Sequence, residues 1–150
     1  MFYGCSTLTS LEIYNLNTTK VRDMSRLFYM CISLKFLSGL SEWNTSNATN
    51  VSGLFYYCRA LEKLPDISKW NTNKFIDMDC LFYYCSSLET LPDLSKWKTN
   101  NTERMTNVFF GCSSLKSLHD ISEWDTKKVF KMIGFFYECS SLKLIPDISK

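Results

Sequence analysis

Two kinds of apolar spacing alternate along the chain, and the pair returns every 26 or 27 residues. The first kind is clearest in the opening copy, where Leu8, Leu11, Ile13 and Leu16 follow the spacing LxxLxLxxL. That spacing predicts a short strand lining a horseshoe. Later copies are one residue longer here and read Leu64-Pro65-Asp66-Ile67-Ser68 before Trp70. The second kind is a run such as Val129, Met132, Phe135, Phe136 and Cys139, at offsets 0, 3, 6, 7 and 10. At about 100° per residue these positions fall within roughly 120° of arc, one face of a helix. Thr45-Ser46-Asn47 and Asn71-Thr72-Asn73 stand ahead of that face as N-cap residues. Gly53 and Gly134 inside it cost about 1 kcal/mol each relative to Ala, so the helix is expected to be short or partly 3-10. Each coil therefore reads as strand, turn, short helix, turn, with successive strands pairing in parallel about 4.8 Å apart. A β-helix with strands on both faces is the alternative, and the period of three to four argues against it.

A ruler for this register is the phrase Phe-aromatic-x-Cys and its variants. It ends at Cys5, Cys31, Cys58, Cys85, Cys112 and Cys139, at spacings of 26, 27, 27, 27 and 27. A period of this size marks a solenoid, in which neighbouring coils bury a core that no coil could bury alone. The expected fold is an α/β solenoid, a leucine-rich-repeat-like horseshoe segment. Each 26–27-residue coil would carry one short parallel strand and one short helix or 3-10 turn. Residues 1–150 form a single unit of about five and a half coils. Met1 falls in the column of Leu27, Leu54 and Leu81, and the repeat breaks off at Ile148-Ser149-Lys150. The chain is expected to be a segment of a longer array, flanked by further repeats.

The phrase Leu64-Pro65-Asp66-Ile67-Ser68-Lys69-Trp70-Asn71-Thr72, then Met78, then Leu81-Phe82-Tyr83-Tyr84-Cys85-Ser86-Ser87-Leu88, resembles the repeat of BspA-like leucine-rich repeat surface proteins. The match recurs in each copy. It implies a surface or secreted protein, since a few family members are similar to adhesins that bind host or matrix proteins. It supplies no active site to carry over. No signal peptide or lipid anchor is visible in the segment, so a surface location rests on the resemblance alone.

Composition narrows the chemistry. Charged residues make up 21% of the chain and the net charge is +2, with both signs interspersed. No basic block supports nucleic-acid binding, and no apolar run approaches the roughly 20 residues of a membrane span. The six-fold Cys column could be a disulfide or metal framework, but its spacing matches no zinc motif. Stacked Cβ vectors running side by side favour buried thiols. Cys80 stands apart, aligned with Arg26, Gly53, Asn107 and Gly134, and is expected to face solvent. Trp43, Trp70, Trp97 and Trp124, with Leu16 first, are read as core. The column Tyr29, Tyr56, Tyr83, Phe110 and Tyr137 is expected to be half exposed, forming with Tyr57 and Tyr84 a sticky patch on one flank. The acidic column Glu12, Asp66, Asp93, Asp120 and Asp147, interrupted by Gly39, invites a cation. Asp after Pro also closes its own turn, with Lys69 and Lys96 relieving the charge. His119 sits in the Pro65 column with no partner that would suit nucleophilic catalysis. Asn17, Asn44, Asn47, Asn50 and Asn100 open N-x-[ST] sequences, which a residue usage rich in Asn, Ser and Thr produces by chance.

The expected function is a non-enzymatic protein-interaction module, with adhesion as its context. It needs no cofactor, catalytic residue or metal, and binds an unidentified protein partner. Its face would be the strand side, where columns vary while the core stays fixed. The candidates are Lys63, Asp66, Lys69, Thr90, Asp93, Lys96, Ser117, Asp120 and Glu123. A carbohydrate-binding module acting through an exposed aromatic column is the second reading, and a structural spacer without its own ligand the third.

Overall fold

The computed structural model describes residues 1–148; Ser149 and Lys150, where the repeat was expected to break off, lie outside the described residues. Coil stacks on coil through columns of identical side chains. Phe2, Phe28, Phe55, Phe82, Phe109 and Phe136 stack with ring centroids 5.5–5.8 Å apart. Trp43, Trp70, Trp97 and Trp124 stack at 6.2–6.3 Å. The four indoles are at most 7% exposed, which makes the Trp column core as the sequence predicted.

The predicted helix is absent. Among the described residues the only helical element is a 3-10 turn at Leu40–Glu42, in the half that was read as strand. Where the helix was expected, one turn follows another. In the coil around Phe55, Leu54, Tyr56 and Cys58 each donate to the carbonyl three residues back, at 3.1–3.2 Å. The amides between them reach out to the next coil instead. Val51, Gly53, Phe55 and Tyr57 donate to Asp77, Asp79, Leu81 and Tyr83 at 2.7–3.0 Å. The same four-bond ladder recurs from Met78, Cys80, Phe82 and Tyr84, and again from Met105, Asn107, Phe109 and Gly111. Parallel bridges at Asp23, Asn50, Asp77, Arg104 and Lys131 run through it.

Left-handed backbone explains why no helix propagates. Arg26, Gly53, Cys80, Asn107 and Gly134 all have φ between 54° and 65°. Gly4, Met30, Tyr57, Tyr84, Gly111 and Glu138 form a second such column, at 53–73°. A right-handed helix cannot pass through two left-handed residues per turn of coil. The period of three therefore records successive turns wrapping a core. The glycines mark conformation, not a weakened helix.

The predicted strand forms only at the start. β1 (Ser10–Glu12) and β2 (Phe36–Ser38) pair in parallel, with Ser10 opposite Phe36 and Glu12 opposite Ser38. One repeat beyond Ser38 stands Pro65, and Pro92 and Pro146 follow. Proline has no N–H to give a ladder. Among the described residues no backbone hydrogen bond joins β2 to Glu62–Pro65, nor 63–70 to 90–97. The register also corrects the acidic column: Glu12 pairs into the proline column, and the inserted residue is Gly39. That insertion, at φ 92°, packs so closely that a Cβ would lie 2.7 Å from the Ile13 carbonyl carbon.

Side chains supply the missing inter-coil bonds. Indole Nε1 of Trp70, Trp97 and Trp124 donates to the carbonyls of Leu40, Ile67 and Leu94 at 2.9–3.2 Å; Trp43 Nε1 is buried without a partner. Thr72 Oγ1 donates to the Lys98 carbonyl (3.1 Å) and accepts the Lys98 N–H (2.7 Å), so this threonine ties coils together and caps no helix. Asn47 and Asn101 accept from Lys74 and Lys128 of the next coil at 2.8 and 2.7 Å. Lys and Asn alternate in that column, which spares it the repulsion of like charges about 5 Å apart.

The spacing of equivalent rings shows how the coils tilt. It is 4.4–4.6 Å for Tyr3, Tyr29, Tyr56 and Tyr83, against 6.2–6.3 Å for Trp. Equivalent rings sample equivalent points of successive coils. The coils are therefore pinched at the tyrosine flank and splayed at the Trp–Pro side. The inner side of the curve is the backbone ladder, not the strand-like segment expected to line it.

Candidate functional site

On the Trp–Pro side the structure exposes Lys63, Asp66, Lys69, Thr90, Lys96, Ser117, Asp120 and Glu123, with Asp93 half-buried. A shallow cavity of about 450 Å³ gathers Lys63, Asp66, Thr90 and Asp93, floored by Leu64, Leu91 and Pro92. Lys69, Lys96, Ser117, Asp120 and Glu123 stand outside it. A second concavity of about 490 Å³ joins Ser10, Phe36 and Lys63, three members of one variable column, across the first coils. Phe36 is 64% exposed there.

The aspartates of this side close local turns. Oδ1 of Asp66, Asp93 and Asp120 each accepts the N–H two residues on, at 2.9 Å. Bonds from Ser68 hold the Asp66 carboxyl below the usual range, and bonds from Ser95 do the same for Asp93. Sequon asparagines are likewise engaged: Asn17, Asn44 and Asn50 accept the N–H two residues on, at 2.9–3.1 Å.

The cysteine column is a hydrogen-bond ladder. Sγ of Cys31, Cys58, Cys85, Cys112 and Cys139 donates to the carbonyl of Phe2, Phe28, Phe55, Phe82 and Phe109, respectively, at 3.0–3.2 Å. Each thiol is free of disulfides. Burial pushes the Cys58, Cys85 and Cys112 thiols well up, and Cys139 to about 11. They remain protonated donors at neutral pH. Cys80, expected to face solvent, is half-buried. Desolvation and the neighbouring Asp79 raise its thiol, which makes it a poor nucleophile.

Sequence reasoning missed a polar site on the inner side. Asp79 Oδ1 accepts the Thr106 N–H at 2.7 Å, and Oδ2 accepts Arg104 Nε at 2.8 Å and Arg104 Nη2 at 2.5 Å. Asp77 lies 3.6 Å from Arg104 Nε. Asp77, Asp79 and Arg104 line a cavity of about 600 Å³ together with Arg26, Tyr29 and Tyr56. The signal was present: Asp79 is the acid in a column otherwise Ser25, Ser52, Thr106 and Ile133, and Arg104 is the first base in a column that begins Asp23, Asn50 and Asp77.

With this geometry in place, the sequence matches the family described as "Mycoplasma protein of unknown function, DUF285", over residues 1–117 and 63–150. The chain belongs to that family. Its repeat is of the BspA-like leucine-rich repeat type. The crystal structure of a leucine-rich repeat protein of T. pallidum superposes with a TM-score of 0.52 at 16% identity, covering 94% of this chain and 68% of that one. At that identity the likeness speaks for the repeat fold. No curated protein matches the chain. The BspA-like phrase quoted from Leu64 to Leu88 thus identified the family. Among the described residues no helix is long and apolar enough to cross a membrane.

Proposed function

We propose that this BspA-like repeat is a non-enzymatic protein-interaction module of a surface protein, acting in adhesion as part of a longer array. The carrying observation is the division between its columns. Phe and Cys repeat unchanged, Trp repeats from the second coil on, and all three columns are buried in the central coils, while Ser10, Phe36, Lys63, Thr90, Ser117 and Leu144 change from coil to coil and are exposed. Positions released from packing are free to take part in recognition through many shallow contacts. The proposed face is the Trp–Pro side, centred on the cavity that gathers Lys63, Asp66, Thr90 and Asp93 and extending to Lys69, Lys96, Ser117, Asp120 and Glu123. The carbohydrate reading needed an exposed Trp column, and the buried indoles disfavour it.

The test is adhesion of protein-coated beads to layers of extracellular-matrix proteins. Lys63→Glu with Lys96→Glu is expected to weaken adhesion while leaving the melting temperature within a few degrees. Unchanged adhesion in that variant would remove the face assignment.

A further inference from the structure

The inner side carries a second surface that the first does not use. An aromatic run crosses the flank without a break: Tyr29 stacks on Tyr56 at 4.4 Å and Tyr56 on Tyr83 at 4.6 Å. Tyr57 tilts against Tyr56 and Tyr84 at 5.0 Å. All five rings are partly exposed. Two guanidiniums rest on this run. Arg26 lies 5.9 Å from the Tyr29 centroid and Arg59 lies 4.6 Å from that of Tyr57. Neither has a carboxylate at ion-pair distance among the described residues. The acids nearby are committed: Asp79 to Arg104, and Glu138, at the far end of the run, to the Tyr84 hydroxyl at 2.8 Å.

We infer that this flank docks an extended acidic segment of a partner protein, its carboxylates on Arg26 and Arg59 and its apolar atoms on the tyrosine rings. Charge selects the occupant. Planar guanidiniums held on aromatic rings keep their N–H edges for bidentate carboxylate recognition. The cavity beside Arg26 is also lined by Asp77 and Asp79, which opposes a dense polyanion such as nucleic acid or an anionic lipid surface. Spaced carboxylates on a peptide avoid those acids. The pinched, inward-curving side suits a chain laid across successive coils. Gly53, buried at φ 59°, lines the same cavity.

The test is fluorescence anisotropy of a labelled peptide of alternating glutamate and proline, with the lysine–proline peptide as control. The account predicts saturable binding of the acidic peptide alone, weakened by salt. Arg26→Glu with Arg59→Glu should weaken it roughly tenfold or more, with the melting curve retained. Lys63→Glu with Lys96→Glu should leave it unchanged, which separates this surface from the Trp–Pro face. Any of several results would overturn the inference: no saturable binding, equal binding of the lysine peptide, indifference to the arginine substitutions, or loss through the lysine substitutions. Two further results would do the same. One is self-association, seen in sedimentation, that the arginine variant abolishes. The other is binding to phosphatidylglycerol vesicles but not to the peptide.

Discussion

Two halves of the same coil are built on different rules. From Thr72 to Cys85 the backbone is tied directly to its neighbours: Met78, Cys80, Phe82 and Tyr84 donate to the next coil at 2.7–3.0 Å. From Leu88 to Trp97 the backbone contributes Glu89 N–H to Glu62 at its start. After that, indole and threonine side chains make the inter-coil bonds. One half spends its amides on a ladder and must take the ladder's spacing. The other carries proline, gives up the ladder and splays. The difference between the halves is what curves the molecule. It also leaves one surface free to vary and the other bound to a fixed backbone.

Introducing proline into the ladder half should show the largest contrast. Val51→Pro removes the N–H that Asp77 accepts at 3.0 Å and vacates a fully buried site, at a cost of about 3 kcal/mol or more. Thermal unfolding followed by circular dichroism measures it.

Raising the pH should act on the ladder half next, through the thiols. Burial raises the folded-state thiols of Cys58, Cys85 and Cys112 above their ordinary value of 9.0. Their stabilisation is complete below that value and is lost as pH rises toward the folded-state values. Above pH 9 each thiol that must ionise on unfolding lowers stability by up to about 1.4 kcal/mol per pH unit. Cys112→Ala should show a shallower alkaline slope in urea denaturation than the parent. Equal slopes would mean that the column does not stay protonated.

The Trp–Pro half is tested by Trp97→Phe. It deletes the Nε1 bond to the Ile67 carbonyl, which keeps the Trp70 N–H, at a cost of about 0.5–1.5 kcal/mol. Smallest of all is His119→Pro, which completes the column of Pro65, Pro92 and Pro146. Where no amide is needed by a ladder, the change is expected to be neutral or to stabilise by up to about 1 kcal/mol. A loss like that of Val51→Pro would erase the distinction between the halves.

Repeat period, core columns, buried thiols and family were legible in the sequence because stacking demands identity at fixed spacing. Phe82, Cys85 and Trp97 announce themselves by recurrence alone. The secondary structure was not legible. Three-residue turns and a 3.6-residue helix place Val129, Met132 and Phe136 almost alike. What separates them is the left-handed position shared by Gly53, Asn107 and Gly134. Gly and Asn tolerate it well, but Arg26 and Cys80 in the same column disguise it. The proline column carried the other clue, since Pro65 and Pro92 lack the N–H that a continuous sheet would use. The Asp79–Arg104 pair was hidden for a different reason. It occurs once, and a search for recurrence passes over what is not repeated.

The arrangement of the two halves is read most directly by amide hydrogen exchange on the intact chain. The amides of Met78, Cys80, Phe82 and Tyr84, and of Met105, Asn107, Phe109 and Gly111, should be the slowest to exchange. Those of Asp66 and Lys69, and of Asp93 and Lys96, should exchange near the rate of an open chain. Equal protection in both halves would contradict the account.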